Sequence, residues 1–169
     1  QASASGDYSS VTGGYINAAS GNYSSVTGGT DNVASGTASS ITGGNLNFAS
    51  GGGATIVGGR SNQATAASVA VLGGRDGIAS GLYATLVGGQ YARVTGAGAC
   101  SVGGQDNTAS GSYSVVVGGE LNRAIDTRCV VSGGANNTAG NPSLFFDAQQ
   151  ATVTGGCQQT VGTTCGVGP

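Results

Sequence analysis

Little in this chain is equipped for chemistry, and what there is lies scattered. Histidine and lysine are absent, and the five basic residues are all arginine: Arg60, Arg75, Arg93, Arg123 and Arg128. The acids are Asp7, Asp31, Asp76, Asp106, Glu120, Asp126 and Asp147. Acid–base catalysis needs two groups held together at the reacting atoms, and these carboxylates form no evident pair. Cysteine occurs at 100, 129, 157 and 165, without a C-x-x-C spacing or a histidine to complete a zinc site. The Gly-Gly pairs resemble phosphate loops, but no Gly-Lys-Ser/Thr follows them. Calcium-binding β-rolls use a nine-residue glycine- and aspartate-bearing repeat. The period here is different, and Asp31, Asp76 and Asp106 do not fall on adjacent units. The expectation is a non-enzymatic protein without metal or cofactor. With no basic stripe to neutralise phosphates, nucleic acid is not an expected partner. No apolar run approaches the roughly 20 residues of a membrane helix, so membrane insertion is not expected either.

The elements that position these residues are set by Gly-Gly. The pair occurs at Gly13-Gly14, Gly28-Gly29, Gly43-Gly44, Gly58-Gly59, Gly73-Gly74, Gly88-Gly89, Gly103-Gly104, Gly118-Gly119 and Gly133-Gly134, at intervals of fifteen residues. Gly155-Gly156 follows after twenty-two. A fixed period over most of a chain signals a repeat architecture. Numbered from its first glycine, the unit reads G-G-x-x-N-x-A-S-G-x-x-S-x-V-x. Residues 13–27 are called coil 1 below, 28–42 coil 2, and so on to 118–132, coil 8.

Position fourteen carries Val26, Ile41, Ile56, Val71, Leu86, Val116 and Val131, the branched column of a strand facing a core. Position twelve, on the same side of that strand, is small: Ser24, Ser39, Ala54, Ala84, Ala99 and Ser114. Position seven is alanine almost throughout, the opposite wall of a narrow interior. Position five is Asn17, Asn32, Asn47, Asn62, Asn107, Asn122 and Asn137, broken only by Gly77 and Ala92. Asparagine tolerates left-handed backbone and bonds its own main chain, so this column is expected to make the turn. Stacked in register, it is expected to form amide ladders. Each unit thus has two short strands and two turns and cannot bury a core alone. The fold class is all-β: a parallel β-solenoid of about ten 15-residue coils, about 4.8 Å apart.

Three segments follow: the repeat solenoid at 1–140, an inserted loop at 141–150, and a last coil and cap at 151–169. The insert carries Phe145 and Phe146, too bulky for the narrow interior. They either cover the end of the core or dock another subunit. Cys157 and Cys165 lie in the last unit and are expected to staple it as a disulfide. Cys100 should point outward and Cys129 inward, two coils apart and beyond disulfide reach. Four cysteines and no leader segment fit a secreted or cell-surface chain.

Position fifteen should face away from the interior. It reads Thr12, Thr27 and Thr42, then Val57, Leu72, Val87, Val102 and Val117, then Ser132. Five consecutive coils then present an outward apolar stripe, and such a patch implies a partner surface. The competing arrangement is a triangular coil in which this column also packs inside. Tyr8 and Tyr23 share position eleven and should stack at a corner.

The runs Ala19-Ser20-Gly21 with Ser24, Val26 and Gly28, and Ala34-Ser35-Gly36 with Ser39, Ile41 and Gly43, resemble the haemagglutinin-type head repeats of trimeric autotransporter adhesins. The resemblance covers roughly residues 2–139 and implies a left-handed β-roll, association of three chains, and attachment to a surface. Here the period is fifteen rather than near fourteen, and valine replaces the family's core alanine. The expected partner is the chain itself, as a trimer or filament, with a host or abiotic surface as a further target. Three functions stay open: a filament or sheath subunit, an adhesin-like head, and an ice-binding solenoid presenting Ser25/Thr27, Ser40/Thr42 and Thr55.

Overall fold

Alternating small and branched residues between glycine corners leave room for only two or three extended residues at a time, and the backbone follows that pattern. The computed structural model describes residues 2–141, 150–162 and 167–168. Among these residues the chain forms two eleven-stranded parallel sheets and no helix. The first sheet is built from positions six and seven (Ser3–Ala4, Ala18–Ala19, Val33–Ala34 and onward). The second is built from positions thirteen and fourteen (Ser10–Val11, Ser25–Val26, Ser40–Ile41 and onward). Each strand pairs with its equivalent one coil away, as in Ala19↔Ala34 and Val26↔Ile41. The chain is therefore a parallel β-solenoid.

A third ladder, one residue wide, runs along position three: Tyr15, Thr30, Asn45, Arg60, Arg75, Gln90, Gln105, Glu120, Ala135 and Cys157 are bridged in sequence. The insert does not break the stack. Val131 pairs with Val153 and Ala139 with Val161, so the register closes over the extra residues.

The interior is as narrow as position seven requires. Ala19, Ala34, Ala49, Ala64, Ala79, Ala109, Ala124 and Ala139 are buried, facing the branched column from Val26 to Val153. Position twelve is buried too, and the Oγ atoms of Ser24, Ser39 and Ser114 have no protein partner there.

Asparagine does not make the turn in the way its type suggests. The left-handed residue is at position four instead: Ile16, Asp31, Leu46, Ser61, Asp76, Tyr91, Asp106 and Leu121, with φ between 52° and 57°. A second left-handed column lies at position eleven, including Tyr8, Tyr23, Tyr83 and Tyr113. The reason is visible in the hydrogen bonds. Strand N–H groups donate toward the following coil, as Ala18 N does to Asn32 O at 2.8 Å. At the two corners the donation reverses: Asp31 N reaches back to Tyr15 O at 2.9 Å, and Tyr23 N to Asp7 O at 2.8 Å. An inter-coil bond offsets the cost of left-handed backbone for a residue with a side chain. Bulky types at both columns, such as Leu46 and Tyr23, are exposed.

Asn32, Asn47, Asn62, Asn107, Asn122 and Asn137 instead point inward and are fully buried. The ladder they form is not amide to amide. Asn47 Nδ2 donates to Gly43 O and to Gly59 O, both at 3.1 Å. Asn47 Oδ1 accepts the backbone N–H of Asn62 at 3.0 Å. One side chain thus ties its own coil's first glycine to two groups of the next coil. The second glycine of the pair is obligatory for the same reason. At Gly29 (φ +89°) an added Cβ would fall on Gly44 O and on Asn32 Nδ2.

Candidate interaction face

The outward side chains of the second sheet are those of positions thirteen and fifteen. Thr12, Thr27 and Thr42 are exposed, and so are Val57, Leu72 and Val117, at 50%, 48% and 44%. Val87 and Val102 are half-buried between them. The stripe therefore lies outside the coil, not in a triangular interior. Beside it at position thirteen run Thr55, Ala70, Thr85, Cys100, Val115 and Val130, each partly exposed.

The sheet changes shape over the last three coils of the stripe, not where it begins at Val57. Elsewhere its strands are two residues long, but Thr85–Val87, Cys100–Val102 and Val115–Val117 each include position fifteen. Val87, Val102 and Val117 are paired in register in consecutive strands. Two added bonds close this edge, Gly103 N to Val87 O and Gly118 N to Val102 O, each at 2.7 Å. The first glycine of the pair changes with it. Gly73, Gly88, Gly103 and Gly118 have positive φ, and the earlier Gly13, Gly28, Gly43 and Gly58 do not. Val57 is β-branched as well, yet its strand ends at Ile56, so side-chain type alone does not extend the strand; each extended strand is followed by a glycine of positive φ that absorbs the sharper corner.

The ladder at position three borders the stripe, three residues beyond position fifteen. Arg60 follows Val57, Arg75 follows Leu72, Gln90 follows Val87, Gln105 follows Val102, and Glu120 follows Val117. This row carries positive charge at one end and negative charge at the other. Arg75 Nε lies 3.3 Å from Asp76 Oδ2, and its guanidinium sits 5.8 Å from the Tyr91 ring centre. Nothing in the repeat consensus marks position three, because its residue types vary from coil to coil. Only the bridge pattern reveals it as a continuous edge.

The thiols divide by depth. Cys129 is buried, and burial raises its pKa above the ordinary value. Cys100 lies beside the stripe, half-buried, with its pKa raised by the same cause. The expected Cys157–Cys165 staple is not seen: Cys157 is a free, exposed thiol. Its place in the position-three ladder, bridged to Ala135, sets it on the outer edge of the coil. Cys165, Phe145 and Phe146 lie outside the described residues.

The corner tyrosines stack as their spacing predicts, Tyr8 on Tyr23 with ring centres 5.2 Å apart and planes within 6°. Among the described residues no three Cys, Asp or Glu side chains come together as a metal site would need. No family model matches this chain, and no curated protein is significantly similar to it.

Proposed function

We propose that this protein is a non-enzymatic extracellular repeat protein whose solenoid self-associates side to side, as a structural module of a filament, sheath or adhesive surface. The observation that carries the proposal is the aliphatic file on the outer face of the second sheet, whose last three members lie in the widened strands. Val57, Leu72, Val87, Val102 and Val117 follow one another at one position of five successive coils. A water-facing row of this kind is stabilised when a second flat apolar surface covers it. The test is sedimentation velocity over a wide concentration range, beside electron microscopy of the same samples. Wild type should associate with rising concentration, and Leu72→Ser with Val102→Ser should reduce it to monomer. Monomer at every concentration for both chains sinks the proposal.

Ice binding is the second reading. Its support is the hydroxyl file at the other end of the same face: Ser10/Thr12, Ser25/Thr27 and Ser40/Thr42, with Ser40 Oγ 3.3 Å from Thr55 Oγ1. Thermal hysteresis that disappears in Thr27→Leu would favour it over self-association; no hysteresis removes it.

A further inference from the structure

We infer that the solenoid pairs with a second copy of itself face to face and antiparallel, about a two-fold axis that passes through Val87. This rests on the self-association proposed above and specifies its geometry. Val87 is the middle of the five aliphatic residues. A two-fold axis along its strand sets Val57 against the second copy's Val117, and Leu72 against Val102. At position thirteen it sets Ala70 against Cys100 and Thr55 against Val115. The hydroxyl coils that carry Thr12 and Thr27 project beyond the aliphatic overlap at each end.

The charge row selects this orientation. The same axis brings Arg60 against the second copy's Glu120, twice over, because the contact is isologous. Arg75 falls opposite Gln105; the same axis sets Asp76, already paired with Arg75 at 3.3 Å, against Asp106, so this rung adds no net attraction and the Arg60–Glu120 contacts carry the choice. Gln90 meets Gln90. No pair of like charges is opposed along this row. Turning the second copy so that both solenoids run the same way moves its position-three edge to the far side of the sheet. Arg60 and Glu120 then face corner residues such as Gly52 and Ser112, and the row gains nothing. Packed sheets lie about 10 Å apart, a span that arginine and glutamate side chains at the rim bridge together.

The area says how strong the pair is. Five coils at about 4.8 Å extend about 24 Å, and three strand residues at about 3.3 Å span about 10 Å. The resulting face, about 240 Å² with some rim added, is well under the roughly 800 Å² per partner of a standard stable interface. The pair is therefore weak and concentration-dependent. Rim charges decide its register, and low salt strengthens it.

The experiment is a charge-swap cycle in the full chain: wild type, Arg60→Glu, Glu120→Arg and the double variant, by sedimentation equilibrium at low salt. Both residues are exposed, and circular dichroism of each variant checks that the fold is kept. Each single swap opposes like charges at two symmetric contacts and should weaken the dimer roughly ten-fold. The double swap restores the pairing and should return the dissociation constant to within about three-fold of wild type. Additive losses in the double variant overturn the antiparallel register. If Leu72→Ser abolishes a dimer that the swaps leave untouched, self-association survives and this geometry fails. If wild type never dimerises, both fail together.

Discussion

Replacing one inward asparagine tests whether the ladder holds the coils together. Asn47→Ala removes three hydrogen bonds, two donated to Gly43 O and Gly59 O and one accepted from Asn62 N. Gly59 O keeps its bond from Asn45 N, so its loss is partial. The Asn62 N–H is buried and has nowhere else to turn. Stranding it costs about 1–3 kcal/mol, and each of the two lost donations costs about 1 kcal/mol more. The sum is about 3–5 kcal/mol, a large share of the stability of a small domain. Asn47→Asp should be at least as damaging, because it removes both donations and buries a carboxylate. The control is Asn45→Ala, where a partly exposed amide makes one 3.3 Å bond to Thr30 O; its cost should stay within about 0.5 kcal/mol. Urea denaturation followed by circular dichroism measures all three. The urea dependence must be compared as well, since a solenoid can split into two units when a middle interface weakens. If Asn47→Ala costs less than about 1 kcal/mol with an unchanged slope, the asparagine ladder is not what joins the coils.

Three further outcomes follow from the interior. Gly77 lacks the ladder side chain, and Leu86 occupies its place: a Cβ on Gly77 would meet Leu86 Cδ2 at 2.5 Å. Gly77→Asn alone should therefore destabilise, and Gly77→Asn with Leu86→Val should recover most of the loss in the same denaturation assay. In coil 1 Ser24 is buried, as are Asn17, Ala19 and Val26, and in coil 4 Val69 is buried at the equivalent position, as are Asn62, Ala64 and Val71. Ser24→Val should thus fit where an unpartnered hydroxyl stood, stabilising by about 1–2 kcal/mol and raising the thermal midpoint. Cys129 has a raised pKa in the folded chain, chiefly from burial. Its neutral form is favoured by folding, so that stability is complete below the unfolded value of 9.0 and falls as pH rises toward the folded value. Denaturation midpoints from pH 7.5 to 10.5 should fall more steeply for wild type than for Cys129→Ala, and parallel curves would remove the claim.

The period of fifteen and the columns of small and branched residues are enough to specify the sheets and the interior. Glycine spacing sets the corners, and strand alternation decides which of Ser24, Ser25 and Val26 face in. The turns are harder to read because residue type and backbone conformation part company there. Asn32 looks like a left-handed residue, yet Asp31 holds that conformation, and Ile16 and Leu46 hold it elsewhere. A reversed inter-coil hydrogen bond satisfies the N–H at that corner whatever the side chain, so composition leaves no trace of it. The interaction face divides in the same way. Alternation makes Val57 to Val117 an outward file unless the coil is triangular, and their exposure decides between the two. The row from Arg60 to Glu120 is not legible in this way, because each residue differs from its equivalents and only stacking makes them neighbours.

The inner irregularities of this repeat fall on two of the three coils where the second sheet widens. Gly77 and Ala92 interrupt the ladder in coils 5 and 6, so no asparagine oxygen is present to accept the N–H of Ala92 or of Asn107. Those coils also depart elsewhere. Leu86 replaces a β-branched residue, Val94 replaces alanine across the interior, and Ser101 takes the aliphatic position. They are among the coils where the second sheet gains a residue, and the added bonds from Gly103 and Gly118 bracket the gap. Cross-bracing lost inside is thus partly replaced at the sheet edge, by backbone groups that need no particular side chain. Wider strands in turn hold Val87 and Val102 in one flat file, which a flexible corner would not. A second copy centred on Val87 would cover the coils with the thinnest internal ladder. Association should therefore protect the amides of residues 85–102 from hydrogen exchange more than those of residues 25–42, where asparagine already joins every coil. Equal protection along the rod would separate the inner irregularity from the outer face and leave them as two unrelated features of the repeat.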